Sequence, residues 1–165
     1  MFGTQFNAGA SREAIRKAIA QLDDMTPLHR DIVEYMIEAT RSRFRTGTAP
    51  DGTKWAPKKA STLARYKRLG YGNLNRALIG PGRALSRQVI GAASRTGAVV
   101  GSALIYSGVM QDGAAQGAFG QNRAGRPIPW GKIPARVWLG ISKADDDAIV
   151  DIADEYLEQA LGTGG

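Results

Sequence analysis

Few residues of this chain have the types and spacing that chemistry requires. Asp145, Asp146 and Asp147 could suggest a divalent-cation site. Consecutive helical residues point in different directions, however, and acidic residues favour the positive start of a helix in any case. The single histidine, His29, cannot be matched by spacing with a nucleophile or a carboxylate, and Gly80–Arg83 lacks the Gly-Lys-Ser/Thr ending of a phosphate loop. We therefore predict no catalytic, cofactor or metal site, in a protein that is not an enzyme.

Length and composition indicate one domain over residues 1–165. A chain of 165 residues can bury a working core, and the absence of cysteine excludes disulfides and thiolate metal sites. The first residues show no apolar signal core, and no run approaches the ~20 apolar residues of a membrane span. We expect a protein that is made and assembled in a cytoplasm, without a membrane partner.

The net charge of +7 is unevenly distributed along the chain. Residues 41–95 carry thirteen Lys and Arg against one acidic residue, whereas residues 143–165 carry one Lys against seven acidic residues. Complementary fields steer and orient docking between proteins, so head-to-tail self-association is one use of this asymmetry. Nucleic acid is the alternative partner for the basic segment 41–95.

A short basic and aromatic stretch bears on that alternative. Arg65, Lys67 and Arg68 alternate with Tyr66, and Tyr71 follows shortly after. Such a stretch could grip a nucleic-acid backbone and stack bases. It could equally be a solvated helix face whose tyrosines pack on the domain. The sequence leaves both interpretations open.

Two stretches near the start repeat apolar residues at the three-and-four spacing of an amphipathic helix. The first has Ser11 as its predicted N-cap. The second has Thr26 as predicted N-cap and Pro27 at its first helical position, and it should end near Gly47.

A third amphipathic helix is predicted at the end of the chain, where Ser142 and Asp145 have the spacing of a capping box. Two shorter helical segments are expected over Ser61–Leu69, with Ser61 as cap, and over residues 105–112.

The strand signals are confined to the second half of the chain. Residues 84–93 and 98–104 should pair through a turn at Ser94–Gly97. A further strand is predicted over Ile133–Ile141, with Val137, Leu139 and Ile141 on one face. The predicted fold class is therefore α+β, with a small antiparallel sheet packed against about three amphipathic helices.

Two long extended loops complete this expected fold. Residues 48–83 and 113–131 are rich in glycine, and loops of this length in a compact domain are usually functional or become ordered on binding. The second is expected to be mobile. Trp55 and Trp130 lie in these loops and Trp138 in the predicted strand, where large rings need cover from the domain or a neighbouring subunit.

The first loop opens with a turn whose residues each have a physical role. Pro50 presets the first turn angle, Asp51 can accept a hydrogen bond from a following amide, and Gly52 accepts a positive φ. The sequence alone predicts an ordered turn leading to Trp55.

Four blocks resemble, in order, those of the phage virion morphogenesis family, the Mu-type tail completion proteins. They are Pro50–Pro57 continued by Ser61–Ala64, then Leu78–Ile79 followed by Gly82–Leu85, then Val100–Ser102 with Tyr106, and finally Ile133–Ser142. One departure is that Ser107–Gly113 lacks the histidine and aromatic residue that relatives tend to carry there.

This resemblance implies a non-enzymatic virion protein of the neck, acting in tail completion or head–tail joining. The expected partners are copies of itself in a ring, with a hexamer as the working expectation, together with tail tube or terminator and head–tail connector proteins. Genomic DNA should pass nearby. The residues predicted to concentrate interface or loop-anchoring energy are Trp55, Lys58, Lys59, Arg65, Arg83, Trp130, Arg136 and Trp138.

Overall fold

The computed structural model describes residues 8–162, with side chains from Arg12 onward. Six helices and one two-stranded antiparallel sheet make up this part of the chain, which confirms the predicted α+β class. The predicted domain also includes residues 1–7 and 163–165, which lie outside the described range. In chain order the elements are α1 (Ala8–Asp23), α2 (Thr26–Thr46), α3 (Ala60–Arg68), α4 (Ala84–Arg87), β1 (Ile90–Ser94), β2 (Gly97–Gly101), α5 (Ser107–Asp112) and α6 (Lys143–Leu161).

Helix α2 is central, because the hairpin β1–β2 and helix α6 both pack against it. Its N-cap is Met25 rather than the predicted Thr26, and the side chain of Asp24 accepts a hydrogen bond from the Thr26 amide at 3.0 Å. This acceptor lets the helix start one residue early. The helix ends as predicted at Gly47, whose φ of 72° allows its amide to bond to the Arg43 carbonyl.

Two other predicted caps, Ser11 and Ser61, are wrong because each helix already begins before them. Ser11 lies inside α1, which already begins at Ala8, and alanine strongly favours the helix. Ser61 lies inside α3, because the carbonyl of Lys59 already accepts hydrogen bonds from the following turn. The predicted capping box of α6 is confirmed, with the Asp145 amide donating to the Ser142 hydroxyl at 3.1 Å and the Ser142 amide donating to the Asp145 carboxylate at 2.6 Å.

The predicted hairpin is confirmed, but its first strand is shorter than expected. β1 and β2 pair from Ile90 opposite Gly101 to Ser94 opposite Gly97. Residues 84–87 form the helical turn α4 instead of a strand, because Arg83 adopts a left-handed backbone with φ of 50° and redirects the chain. The hairpin lies close to α2: a Cβ on Gly91 would come within 2.6 Å of Val33.

The strand predicted over Ile133–Ile141 is wrong, because this segment forms no ladder with another strand in the described part of the chain. Its one strand-like contact is a bridge between Ala114 and Ile133, and the next backbone groups bond to α5. Arg136 and Trp138 are buried and Leu139 packs against the core, whereas Val137 and Ile141 are 42% and 62% exposed. Covering a tryptophan at position 138 outweighs covering small aliphatic side chains.

The core lies between the end of α2, the segment after it and the segment before α6. Three aromatic residues dominate it, and the buried members are Phe44, Ala49, Trp55, Ile79, Leu85, Val89 and Trp138. None of the described helices is long and apolar enough to cross a membrane.

Candidate functional site

The turn after α2 has the structure that its residues predict. Gly52 has φ of 84°, and the Asp51 carboxylate accepts hydrogen bonds from the Thr53 amide at 2.9 Å and the Thr53 hydroxyl at 2.7 Å. The side-chain and backbone hydrogen bonds from Thr53 lower the pKa of Asp51. A bridge between Thr48 and Lys54 closes the turn and directs the chain back toward the core.

Trp55 and Trp138 then anchor two distant segments on the same phenylalanine. The ring of Phe44 lies 5.3 Å from that of Trp55 and 6.0 Å from that of Trp138. The Trp55 indole donates to the Val137 carbonyl at 2.8 Å, and that of Trp138 donates to the Ser107 carbonyl at 3.1 Å. The aromatic cluster thus fixes the start of the loop 48–83 and the segment that follows the second loop, residues 113–131.

Gln111 in α5 is an anchoring residue that sequence reasoning missed. Its side-chain oxygen accepts hydrogen bonds from the amides of Trp138 and Leu139, and its side-chain nitrogen donates to the Leu139 carbonyl at 2.8 Å. It therefore replaces the strand that would otherwise pair with these residues. The Ser107–Gly113 turn has a clear structural role despite its departure from the family pattern, although no spacing in the sequence indicates one.

Arg136 and Lys58 hold the loop 48–83 through its backbone carbonyls. Arg136 donates to the carbonyls of Ala56 at 2.7 Å and Pro57 at 3.0 Å. Lys58 donates to the carbonyls of Leu74 and Ile79. Burial lowers the pKa of Arg136, and burial followed by the positive charge of Arg136 lowers that of Lys58. These cations bond to neutral oxygens, which indicates a structural use.

Next to them lies a basic cleft of about 320 Å³, which we call the lysine cleft. Lys58, Lys59, Lys132 and Arg136 line it, together with the ring of Tyr66, and no acidic residue does. The Lys58 ammonium lies 4.6 Å from the centre of that ring. Lys132 was not among the predicted contact residues, and only its place in a glycine-rich and proline-rich stretch could have indicated it.

Residues 113–133 form a self-paired segment, which we call the arm. Its two halves bond to each other through Ala114 with Ile133 and Phe119 with Ile128, and it ends in a turn closed by a hydrogen bond from Asn122. The segment thus has more internal hydrogen bonding than the loop predicted from its glycines. Three large apolar residues of the arm are exposed: Phe119 at 54%, Ile128 at 38% and Trp130 at 70%.

The eight predicted contact residues fall into an inner and an outer group. Trp55, Arg136 and Trp138 are 7%, 8% and 3% exposed, and Lys58 is half-buried. Within the chain these four anchor loops, and contact of any of them with a neighbour stays a prediction. The outer group is available to a partner and consists of Lys59, Arg65, Arg83 and Trp130.

The residues that could have done chemistry are engaged elsewhere. His29 contacts the Ser94 carbonyl through Nδ1 at 2.6 Å. Within residues 8–162, no three His, Asp or Glu side chains lie close enough together to hold a metal ion.

Tyr66 and Tyr71, in the basic and aromatic stretch, pack edge to face with ring centres 6.4 Å apart, while Arg65 beside them is exposed.

Asp145 forms a buried ion pair with Arg43, which also donates to the Gly140 carbonyl at 2.7 Å. The Tyr35 hydroxyl donates to the same carboxylate at 3.2 Å. Burial acts to raise the pKa of Asp145, but the hydrogen bonds from Ser142 and the charge of Arg43 outweigh it and lower the pKa. Burial, with the adjacent carboxylate, raises the pKa of Tyr35.

The described part of the chain thus combines anchored loops with an exposed arm. The model of the phage virion morphogenesis family matches residues 7–158. The chain belongs to the phage virion morphogenesis family. No curated protein and no solved structure matches it significantly.

Family membership makes the chain a structural bacteriophage protein of the virion, and its role there involves contacts with other virion components. The family is a structural one rather than an enzymatic one. This confirms the resemblance and the general class of function that the four sequence blocks imply.

Proposed function

We propose that the chain is a component of the virion neck, where it completes the tail or joins it to the head. In this proposal several copies, six in our expectation, form a ring that docks on tail tube or terminator proteins and on head–tail connector proteins. The host cytoplasm is the proposed place of assembly. The ring surrounds the path of the genomic DNA, so the basic segment 41–95 lies near it.

The arm is the observation that supports this proposal best. It presents Phe119 and Trp130 to solvent on a segment whose backbone hydrogen bonds are made internally. An isolated domain gains nothing from exposing two large aromatic rings, whereas aromatic residues often carry much of the binding energy of an interface. A prestructured arm also loses less entropy on docking than a flexible loop does.

The test compares particles made with the wild-type chain and with an arm variant, Phe119→Ala with Trp130→Ala. We expect the variant to melt like wild type but to be depleted from purified particles by roughly tenfold or more, as for loss of two interface anchors. Ile105→Ala is the matched control, because Ile105 is 98% exposed and lies outside the arm.

Imaging of intact necks then gives the position and the copy number. Normal incorporation of the arm variant would show that the arm is not the docking surface. A wild-type chain that is absent from purified particles would overturn the proposed function as a whole.

Nucleic-acid binding by residues 41–95 is the second candidate, and the lysine cleft favours it, since cations line the cleft without an acidic residue. Contact with several phosphates requires binding that weakens steeply as salt rises. Negligible retention of duplex DNA at low salt would exclude this candidate without affecting the first.

A further inference from the structure

A second basic cleft, distinct from the lysine cleft, is lined by five arginines around the side chains of Phe44 and Ile79. Its volume is about 330 Å³, and no acidic residue lines it. We call it the arginine cleft, and its cations are Arg41, Arg45, Arg76, Arg83 and Arg87.

Most of these guanidinium groups lack a carboxylate partner. Arg45 pairs with Glu38 on the surface at 2.8 Å, while Arg41 and Arg76 donate to backbone carbonyls. The side chains of Arg83 and Arg87 make no hydrogen bond or ion pair within the described part of the chain. Five cations around one concave surface repel each other, so an anionic group from outside would stabilise the cleft.

Helix α6 carries the complementary feature. Asp147, Asp151, Asp154 and Glu158 follow one another at intervals of four, three and four residues, which places them in one row along the helix. All four are exposed, and we call them the carboxylate row. Asp147 pairs with the exposed Lys143 at 3.0 Å, whereas the carboxylates of Asp151 and Asp154 have no partner among residues 8–162.

An apolar ridge runs beside the carboxylate row on the same helix. Val150, Leu157 and Leu161 are 52%, 39% and 60% exposed. A partner that covers the row can therefore bury apolar area as well, which ion pairs alone do not provide.

The two charged surfaces lie on different sides of α2 and do not meet within one chain. Helix α6 contacts α2 through Asp145, which binds Arg43. Arg41 and Arg45 are each two residues away from Arg43, or about 200° around a helix that turns once in 3.6 residues. The arginine cleft therefore faces away from α6, and a contact between the two surfaces needs a second copy.

We propose that the carboxylate row of one copy docks in the arginine cleft of the next. Guanidinium groups remain charged and bind carboxylates through two parallel hydrogen bonds, which gives the contact its orientation. A contact between two different surfaces is heterologous, and it closes into a ring when the rotation between copies allows. This inference rests on the proposed function, for which it names the contact between ring neighbours.

The test is a charge exchange on the full chain. The cleft variant is Arg83→Glu with Arg87→Glu, the row variant is Asp151→Lys with Asp154→Lys, and the exchanged chain carries all four changes. Lys67→Glu with Arg68→Glu is the matched control, because both side chains are exposed and lie outside the arginine cleft and the arm. Light scattering over a concentration series measures assembly, and thermal melting shows that each variant is folded.

We expect wild type and control to assemble alike. Each two-site variant should assemble only at a concentration roughly tenfold or more above that of wild type, because the loss of charge pairs at an interface weakens binding to about this extent. An equal mixture of the cleft and row variants should recover assembly, because each supplies the surface that the other has lost and the two changed surfaces are again opposite in charge. The exchanged chain should recover it as well.

Failure of the mixture to recover assembly overturns the inference, as does a wild-type chain that stays monomeric at every concentration reached. A cleft variant that assembles normally but no longer retains duplex DNA would overturn it too, and would assign the arginine cleft to phosphate. Of these outcomes, only a strictly monomeric wild-type chain also counts against the ring in the proposed function. The place of the chain in the virion is tested separately, by its presence in purified particles.

Discussion

Arg43, Lys58 and Arg136 show that the positive charge of this chain is not all surface charge. Arg43 is buried against Asp145, and the other two donate to backbone carbonyls of the loop 48–83. Two of them belong to the thirteen Lys and Arg of residues 41–95. Since Asp145 neutralises Arg43, the net charge of that segment slightly overstates the field that it offers to a nucleic acid.

The ion pair between Arg43 and Asp145 gives a prediction with a defined pH dependence. Asp145→Asn leaves a buried guanidinium without its counter-charge, so we expect a loss of about 3–5 kcal/mol of stability at neutral pH. The pKa of Asp145 is lowered in the folded chain, so its contribution is present above the unfolded value of about 4 and is lost as pH falls through the folded value.

The free-energy difference between wild type and Asp145→Asn should therefore narrow as pH falls below about 4, as measured by urea unfolding at several pH values. Asp147→Asn is the control, because its pair with Lys143 has side chains 61% and 87% exposed and should contribute under about 1 kcal/mol. A difference that is independent of pH would refute this account of the ion pair.

Trp55 and Trp130 should separate folding from docking. Trp55→Phe removes the hydrogen bond to the Val137 carbonyl and part of a buried ring, so we expect it to cost about 2–3 kcal/mol. Trp130 is 70% exposed, and Trp130→Phe should change stability by less than about 0.5 kcal/mol. Denaturant unfolding measures both, and equal losses would contradict the anchor role of Trp55.

At the scale of elements, the sequence predicts those parts whose pattern is local. Helix α2, the α6 capping box and the hairpin follow from apolar spacing, caps and a turn, and all three are present. The segment Ile133–Ile141 was mispredicted because its partner is a side chain, Gln111, rather than another strand. A side-chain partner that lies far away in the sequence leaves no periodic pattern. Without knowing that partner, the sequence cannot show which face of the segment is buried.

The start of the arm gives a prediction about a single glycine. Gly113 has φ of 76° and ψ of −176°, and a Cβ there would come within 2.7 Å of both the Ala135 amide nitrogen and the Ile133 carbonyl oxygen. Those atoms belong to the backbone and cannot move aside easily. Gly113→Ala should therefore cost about 3 kcal/mol or more, from strain and contact together.

Gly125→Ala is the matched control for that change. Gly125 also has a positive φ, of 71°, but a Cβ there would meet no atom within 4 Å. We expect it to cost about 1–2 kcal/mol, the strain of the backbone alone. Thermal melting compares the two, and similar shifts would show that the arm does not pack against the segment that follows it.

For the whole molecule, the sequence predicts that opposite charges are segregated along the chain but not where they lie in space. The placement depends on α2, which holds α6 on one side and the arginine cleft on another. That arrangement follows from the buried pair of Arg43 and Asp145, separated by about a hundred residues, and no local pattern reports such a contact. In the folded chain, the charge asymmetry of the sequence is therefore present as two separate surfaces, the arginine cleft and the carboxylate row.

Two such surfaces predict how assembly responds to salt. The row-to-cleft contact is partly ionic, and screening shortens from about 10 Å at 0.1 M salt to about 3 Å at 1 M. We expect wild-type assembly, followed by light scattering, to weaken between these salt concentrations without being abolished, because the apolar ridge of α6 and the exposed rings of the arm are not screened. The arm variant Phe119→Ala with Trp130→Ala lacks the unscreened rings, so its assembly should weaken more steeply with salt than that of wild type. Assembly that does not change with salt would assign the contact between copies to apolar surface alone, and the arginine cleft would then face another component of the particle.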